Sequence, residues 1–157
     1  MFDALERCGL RPKLLPELAS VPDNLSGSLP VRFALLCWPL QETAIKVFCD
    51  RLKVPNEERE LALLACRCKE LLGPSTPAEF LNLFKRADAF RRAERFAMFL
   101  ATARLAQPRF DSVKIEHAFK SAVAVDAGAI AGTAKSAAEI PALLDRAREQ
   151  AIGKGKS

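Results

Sequence analysis

Apolar residues recur three or four positions apart along most of this chain, a spacing that predicts α-helices. Segments 80–87 and 91–106 show it clearly, and a shorter example at Phe2–Cys8 ends at Gly9, a natural helix C-cap. Thr76-Pro77-Ala78-Glu79 combines a capping box with proline at the first helical position, which marks a helix start. No segment carries the alternation typical of a strand. The sequence therefore predicts an all-α fold of about seven helices.

Prolines and capping residues predict where other helices begin and end. One apolar helix should run from about Pro30 to Cys37 and stop at Pro39, because proline breaks a helix interior. The next should cover Gln41–Leu52 and bury most of its apolar residues, including Val47 and Leu52. Asn56 is a candidate N-cap for the helix after it. Ser136-Ala137-Ala138-Glu139 reads as a second capping box at the start of the last helix.

Length and composition predict one domain. The chain has 157 residues, of which 50% are hydrophobic, and a chain of this size buries roughly 70% of the surface that its unfolded form exposes. We expect a single compact domain over residues 1–153 and a flexible basic tail over 154–157. No apolar run reaches the roughly 18 residues of a membrane span, and Met1–Arg7 lacks the pattern of a signal peptide. The expected location is cytoplasmic, with no membrane partner.

The cysteines and the single histidine do not predict a metal or catalytic centre. Five cysteines in a cytosolic composition argue against disulfides, and Cys66 and Cys68 would point to nearly opposite sides of a helix. His117 is the only histidine and has no serine or cysteine nearby at catalytic spacing, so a surface role is the simpler interpretation. We therefore expect no catalytic residue, no metal ligand and no cofactor in this chain.

Basic residues form the candidate binding site. The formal net charge is +5, which is compatible either with an anionic partner or with an ordinary basic surface. On one helix, Arg91 and Arg95 would share a face at i, i+4 spacing and could hold two phosphates, although Glu94 could equally balance a solvated face. The candidate RNA-binding residues are Lys85, Arg86, Arg91, Arg92 and Arg95. Weaker candidates are Arg67, Lys69, Arg146 and Arg148.

Four stretches resemble one known family in the correct order. They are Arg32-Phe33-Ala34-Leu35-Leu36, Phe48-Cys49-Asp50-Arg51-Leu52-Lys53-Val54-Pro55-Asn56, Ala87-Asp88-Ala89-Phe90-Arg91-Arg92 and the segment 140–152. The chain resembles the C-terminal region of bacterial tRNA nucleotidyltransferases, the CCA-adding enzymes, which carries an HD-type domain. The resemblance implies an HD-domain-like helical fold.

The same alignment of motifs implies a degenerate HD site. Trp38 and Pro39 stand where the family has its His-Asp pair, and Gln41 occupies the slot of a following histidine. An indole N–H only donates a hydrogen bond, and proline has no polar side chain, so neither can bind a metal ion. We expect Trp38 to be buried in the space that the metal cluster would occupy. Metal-dependent phosphohydrolase activity should therefore be lost.

The resemblance implies a non-catalytic domain that contributes to tRNA binding. Nucleotidyl transfer needs a pair of carboxylates that hold two magnesium ions, and the chain contains no Asp-x-Asp string. The expected partner is tRNA or another RNA. The alternative is a scaffold domain derived from an HD domain, which would bind a protein partner or form a homodimer without touching nucleic acid.

Overall fold

The computed structural model describes residues 7, 18, 25–133 and 136–155. The predicted helix Phe2–Cys8 lies outside the described residues except for Arg7, which is helical. The described part contains eight α-helices and no strand, which confirms the all-α prediction. The helices are α1 (Leu29–Leu36), α2 (Glu42–Leu52), α3 (Asn56–Cys68), α4 (Pro77–Arg86), α5 (Ala93–Ala106), α6 (Val113–Val123), α7 (Ala127–Thr133) and α8 (Ile140–Lys154). A short 3-10 turn, Lys69–Leu71, follows α3.

The packing divides the chain into two compact units. Unit 1 comprises residues 1–69 and 97–110, and unit 2 comprises residues 70–96 and 111–157. The single domain predicted over residues 1–153 stays a prediction. None of the described helices is both long and apolar enough to cross a membrane.

In unit 1, α3 packs against both α1 and α2. The helix α1 is buried along much of its length, at Pro30, Val31, Ala34, Leu35 and Leu36. The antiparallel pair α2 and α3 is joined by an ion pair near each end. Glu42 accepts two hydrogen bonds from Arg67, at 2.9 and 2.6 Å, and Arg59 pairs with Asp50.

The inner face of α2 is narrower than the sequence predicts. Ile45, Phe48 and Cys49 are buried, whereas Val47 is 60% and Leu52 45% exposed. Residues two apart on a helix point about 200° apart, so Val47 faces away from Ile45. The predicted burial of Val47 and Leu52 was therefore wrong.

In unit 2, phenylalanine rings surround Phe84. Its ring centroid lies 6.3 Å from that of Phe80, 6.1 Å from Phe90, 5.7 Å from Phe96 and 5.2 Å from Phe119. The contacts with Phe90, Phe96 and Phe119 are edge-to-face, the arrangement that aromatic quadrupoles prefer. Around this cluster, α8 packs on α4, α6 and α7, and α4 packs on α6.

Two predicted capping boxes have different outcomes. At α4 the box is confirmed: Thr76 Oγ1 accepts from the Glu79 amide at 3.3 Å, and a Glu79 carboxylate oxygen accepts from the Thr76 amide at 3.1 Å. At Ser136–Glu139 the prediction was wrong, because these residues form a turn and α8 begins at Ile140. The Glu139 amide donates to the Ser136 carbonyl at 3.1 Å, so the backbone bond replaces the side-chain cap.

Two helix ends also differ from the expected ones. Pro55 is the N-cap of α3, and Asn56 is its first helical residue rather than its cap. The last helix continues to Lys154, the residue at which the predicted tail would begin, while Lys156 and Ser157 lie outside the described residues.

Candidate nucleic-acid interface

The turn that follows α4 leads into the candidate RNA-binding residues Arg91, Arg92 and Arg95. The Ala89 amide donates to the Phe84 carbonyl at 2.9 Å, and the Asp88 amide donates to the Lys85 carbonyl at 3.1 Å. These two bonds form a Schellman motif, which requires a left-handed residue just beyond the helix. Asp88 takes that conformation with φ of 52°. The amides of Arg91 and Arg92 then donate to the Asp88 carbonyl, which fixes the start of the next segment.

Three arginines surround the carboxylate of Asp88. A side-chain nitrogen of Arg91, of Arg92 and of Arg95 each lies 3.9 Å from the same oxygen, Asp88 Oδ2. The side chain of Arg91 is 78% exposed, that of Arg92 44% and that of Arg95 20%. These four residues are called the Asp88 cluster below. Three guanidinium groups therefore lie around one carboxylate.

The structure corrects the proposed helical face. Arg91 lies in the turn before α5, because that helix begins at Ala93, so Arg91 and Arg95 are not one helical turn apart. Both instead face Asp88, and Arg95 also donates to the Ala87 carbonyl at 3.4 Å. The candidates Arg91, Arg92 and Arg95 therefore do come together, through the turn rather than through helical spacing.

The other two candidates on α4 differ in their pairing. Lys85 donates to Asp145 on α8 at 2.6 Å, so a carboxylate already neutralises much of its charge. Arg86 is exposed and makes no ion pair with a carboxylate in the described part of the chain. On α8, the guanidinium of Arg148 stacks 3.7 Å over the Phe90 ring. Burial lowers the pKa of Arg148, and the carboxylate of Asp145 opposes that shift.

In unit 1, the three positions predicted to carry a degenerate HD motif, Trp38, Pro39 and Gln41, lie between α1 and α2. Trp38 is half-buried in the turn after α1, and its placement in the space of a metal cluster stays a prediction. Its carbonyl accepts a hydrogen bond from Lys69 Nζ at 2.9 Å. Pro39 is exposed, and Gln41 is the exposed N-cap of α2 without a side-chain capping bond.

The weaker basic candidates of unit 1 have structural roles. Arg67 and Lys46 both bond to the carboxylate of Glu42, and the hydrogen bond from Arg67 is the main reason why the Glu42 pKa falls from 4.5 to about 2. Lys69 holds the Trp38 carbonyl, as described above. Arg67 joins α3 to α2, and Lys46 pairs within α2, so both cations already have a carboxylate partner and offer less to an external anion.

Burial raises the pKa of two cysteines of unit 1, Cys37 and Cys49. Burial, followed by the nearby thiols of Cys49 and Cys66, raises the pKa of Cys37 to about 12. A thiolate is the form that attacks electrophiles and binds metals, so Cys37 is suited to packing. Within residues 25–133 and 136–155, no three His, Cys, Asp or Glu side chains form a group suited to hold a metal ion.

Asp88 is the organising residue that the sequence interpretation overlooked. Two acidic residues, Asp88 and Glu94, lie within the basic run from Lys85 to Arg95, and Asp88 is flanked by alanines. The sequence signal that could have identified Asp88 is an acidic residue just beyond a helix that ends in basic residues. Asp suits this position because it tolerates the left-handed conformation better than most residues.

Among curated proteins, the chain is similar to two multifunctional CCA proteins. The one from Burkholderia vietnamiensis is 32% identical over 209 residues, which covers 97% of this chain and 51% of that protein. The one from Burkholderia lata is 31% identical with the same coverage. A CCA-adding enzyme of Alteromonas mediterranea is 39% identical over 90 residues, 54% of this chain and 23% of that protein. No family model and no solved structure matches the chain.

The chain spans about half the length of the curated relatives that cover it almost completely. The alignment extends over 209 residues although the whole chain has 157, so the relatives carry segments that this chain lacks. The comparison confirms the family resemblance predicted from the four sequence stretches.

Proposed function

Because the chain belongs to the family of CCA-adding enzymes, we propose that it is a non-catalytic C-terminal domain of this family that contributes to tRNA binding in the cytoplasm. The observation that carries the proposal is the Asp88 cluster, in which three arginines share one carboxylate. Family membership makes tRNA the anion to test first.

The geometry of the Asp88 cluster suits a phosphate backbone. The Nε atoms of Arg91 and Arg92 each lie 3.9 Å from Asp88 Oδ2, beyond hydrogen-bond distance, and both side chains are substantially exposed. A phosphate oxygen could therefore accept from Arg91 or Arg92 while Asp88 still orients them. Such contacts position the RNA without reading its sequence.

The absence of catalysis is supported by the residues at the HD positions. Trp38, Pro39 and Gln41 supply no imidazole or carboxylate, whereas phosphoester hydrolysis in such a site needs these groups to bind a metal ion and activate water. The cysteine thiol with the raised pKa offers no substitute ligand at neutral pH. We therefore do not expect this chain alone to catalyse the reaction of its relatives.

The decisive test is binding of the chain to labelled tRNA and to duplex DNA of matched length across a salt series. We expect tighter binding to tRNA and a linear fall of log affinity with log salt. The double variant Arg91→Ala/Arg92→Ala should weaken tRNA binding and reduce the salt slope by about 2, one for each lost phosphate contact.

The matched control is Arg32→Ala, which removes an exposed arginine from α1 in unit 1. It should leave both affinity and slope nearly unchanged. No binding at low salt, or equal losses in the control and the double variant, would refute the Asp88 cluster as a tRNA contact.

The scaffold alternative has one supporting observation, the exposed Val47 and Leu52 on α2. Sedimentation of the chain across a concentration series tests self-association directly. If it associates, Val47→Ser/Leu52→Ser should restore the monomer. A concentration-independent monomer that binds tRNA would leave the first proposal standing and remove the homodimer.

A further inference from the structure

Phe90 places an aromatic ring within the turn of the Asp88 cluster. It lies between Asp88 and Arg91 in the chain and is partly exposed, whereas Phe84 is fully buried. The Phe90 ring meets the Phe84 ring edge-on at 6.1 Å, and its centroid lies 5.8 Å from that of Phe119. These contacts fix the ring against the core of unit 2. Phe90 therefore links that core to the turn that carries the basic residues.

The guanidinium of Arg148 stacks on Phe90. Its Cζ atom lies 3.7 Å from the ring centroid, well inside the limit of about 6 Å for a cation–π contact. Arg148 Nε is buried and has no hydrogen-bond partner. Asp145, one turn earlier on α8, accepts from Lys85 at 2.6 Å instead. The stack on Phe90, rather than an ion pair, therefore orients this guanidinium.

The stack leaves one side of the Arg148 plane without an aromatic partner. A planar guanidinium has two faces, and the Phe90 ring covers one of them. The Arg148 side chain is partly exposed, and Phe90 is the ring that stacks on it within the described residues. A flat group laid on the second face would extend the existing stack to three layers.

Single-stranded nucleic acid supplies both of the groups that this arrangement suits. Its bases stack on aromatic rings or on arginine guanidinium planes, while basic residues follow its phosphates. Arg91 is adjacent to Phe90 in the chain and 78% exposed, so a phosphate can reach it. A base inside a duplex is already stacked on both sides by its neighbours, so it presents no free face. The arrangement therefore favours an unpaired nucleotide over a paired one.

We propose that the stack of Arg148 on Phe90 receives an unpaired base of the bound RNA, while Arg91 and Arg92 hold the neighbouring phosphates. This inference rests on the proposed RNA contact of the Asp88 cluster and names its substrate class, single-stranded rather than paired RNA. Because every base has a flat face, the site distinguishes unpaired from paired nucleotides without selecting one base.

The test compares the affinity of the whole chain for a single-stranded RNA of about 12 nucleotides, within the typical site sizes of such surfaces, with its affinity for the same strand paired to its complement. We expect tighter binding to the single strand. Arg148→Lys keeps the charge but removes the flat plane. It should weaken binding of the single strand about tenfold, the loss of one stacked base, with duplex affinity and the salt slope unchanged.

Arg146→Lys is the matched control. It makes the same change at an exposed position of α8, and residues two apart on a helix point about 200° apart, so it lies away from Phe90. Both RNA affinities should stay unchanged in this control. Equal affinity of the unchanged chain for the two RNAs, equal losses in the two variants, or an equal loss for single strand and duplex in Arg148→Lys would overturn the proposal.

The failure of this inference and the failure of the proposed function give different results. If Arg91→Ala/Arg92→Ala weakens tRNA binding while Arg148→Lys leaves the affinity for the single strand unchanged, the stack is refuted and the Asp88 cluster remains a phosphate contact. If the chain binds neither tRNA nor the single strand at low salt, both proposals are refuted.

Discussion

The two compact units use their charged residues in different ways. In unit 1, Arg67 and Arg59 of α3 pair with Glu42 and Asp50 of α2 and so hold these two helices together, while Lys46 pairs with Glu42 within α2. In unit 2, one carboxylate, that of Asp88, faces three arginines. The difference shows that the number of basic residues does not identify a binding surface. What matters is how many carboxylates the fold places beside them.

The two units also differ in how they pack aromatic rings. In unit 1, Phe33 and Phe48 stack, with ring centroids 5.9 Å apart and planes 7° from parallel. Unit 2 surrounds Phe84 with four other rings. Phe84, the residue at the centre of this ring cluster, lies on α4 close before the turn that carries Asp88 and Arg91.

The largest expected effect is the loss of the Phe84 ring. Phe84 is fully buried, so Phe84→Ala should leave a cavity among four rings and lower the free energy of unfolding by about 3–5 kcal/mol. Urea denaturation monitored by circular dichroism measures this free energy of unfolding. The control Phe33→Ala removes a half-buried ring with one aromatic partner and should cost less. Equal losses would mean that the two cores do not differ as described.

Trp38→Ala tests whether the degenerate HD position is part of a core. Because the ring is only half-buried, we expect a loss of about 1–2 kcal/mol, well below that of Phe84→Ala. Thermal melts of both variants give the comparison, with Trp38→Phe as the control that keeps an aromatic ring. A loss as large as that of Phe84→Ala would show that the tryptophan does fill an enclosed space.

Asp88→Asn tests how the two units differ in pairing carboxylates with basic residues. This prediction rests on the proposed tRNA contact. The change removes the shared carboxylate but keeps a residue that tolerates the left-handed conformation. We expect tRNA affinity at low salt to rise about threefold. Asp126→Asn is the control, because it makes the same charge change at a carboxylate that caps α7 by accepting from Gly128 and Ala129. Weaker tRNA binding by Asp88→Asn would mean that the arginines need the carboxylate to be held in place.

The smallest expected effect concerns acid stability in unit 1. The folded-state pKa of Glu42 is lowered to about 2 by Arg67 and Lys46, so its carboxylate stabilises the fold above its ordinary pKa of 4.5. That contribution is lost as the pH falls from 4.5 through 2. The melting temperature of Glu42→Gln should therefore approach that of the unchanged chain in this window, and added salt should reduce the difference at neutral pH. Glu57→Gln, at an exposed carboxylate of α3, is the control that should show no such convergence.

The helices were predictable because the signals that form them are local. Apolar spacing and the capping box at Thr76 act within one or two turns, and both agree with the structure. The burial of Val47 and Leu52 was not predictable in the same way, because it depends on which side of α2 meets α3. The structure brings the candidates Arg91, Arg92 and Arg95 together, but the sequence interpretation did not name their shared partner Asp88 or the turn that positions them.

By itself, the sequence determined the helical class, most helix ends, the family and the basic character of the segment around Arg91. Only the tertiary structure decided which of those charges remain available. Lys85 is matched by Asp145, which lies 60 residues away, and Arg67 by Glu42, which lies 25 residues away. Pairings over such separations follow from helix packing rather than from local spacing, and the stack of Arg148 on Phe90 has the same origin. The physical reason is that capping and periodicity act over a few residues, whereas charge compensation depends on every helix that packs nearby.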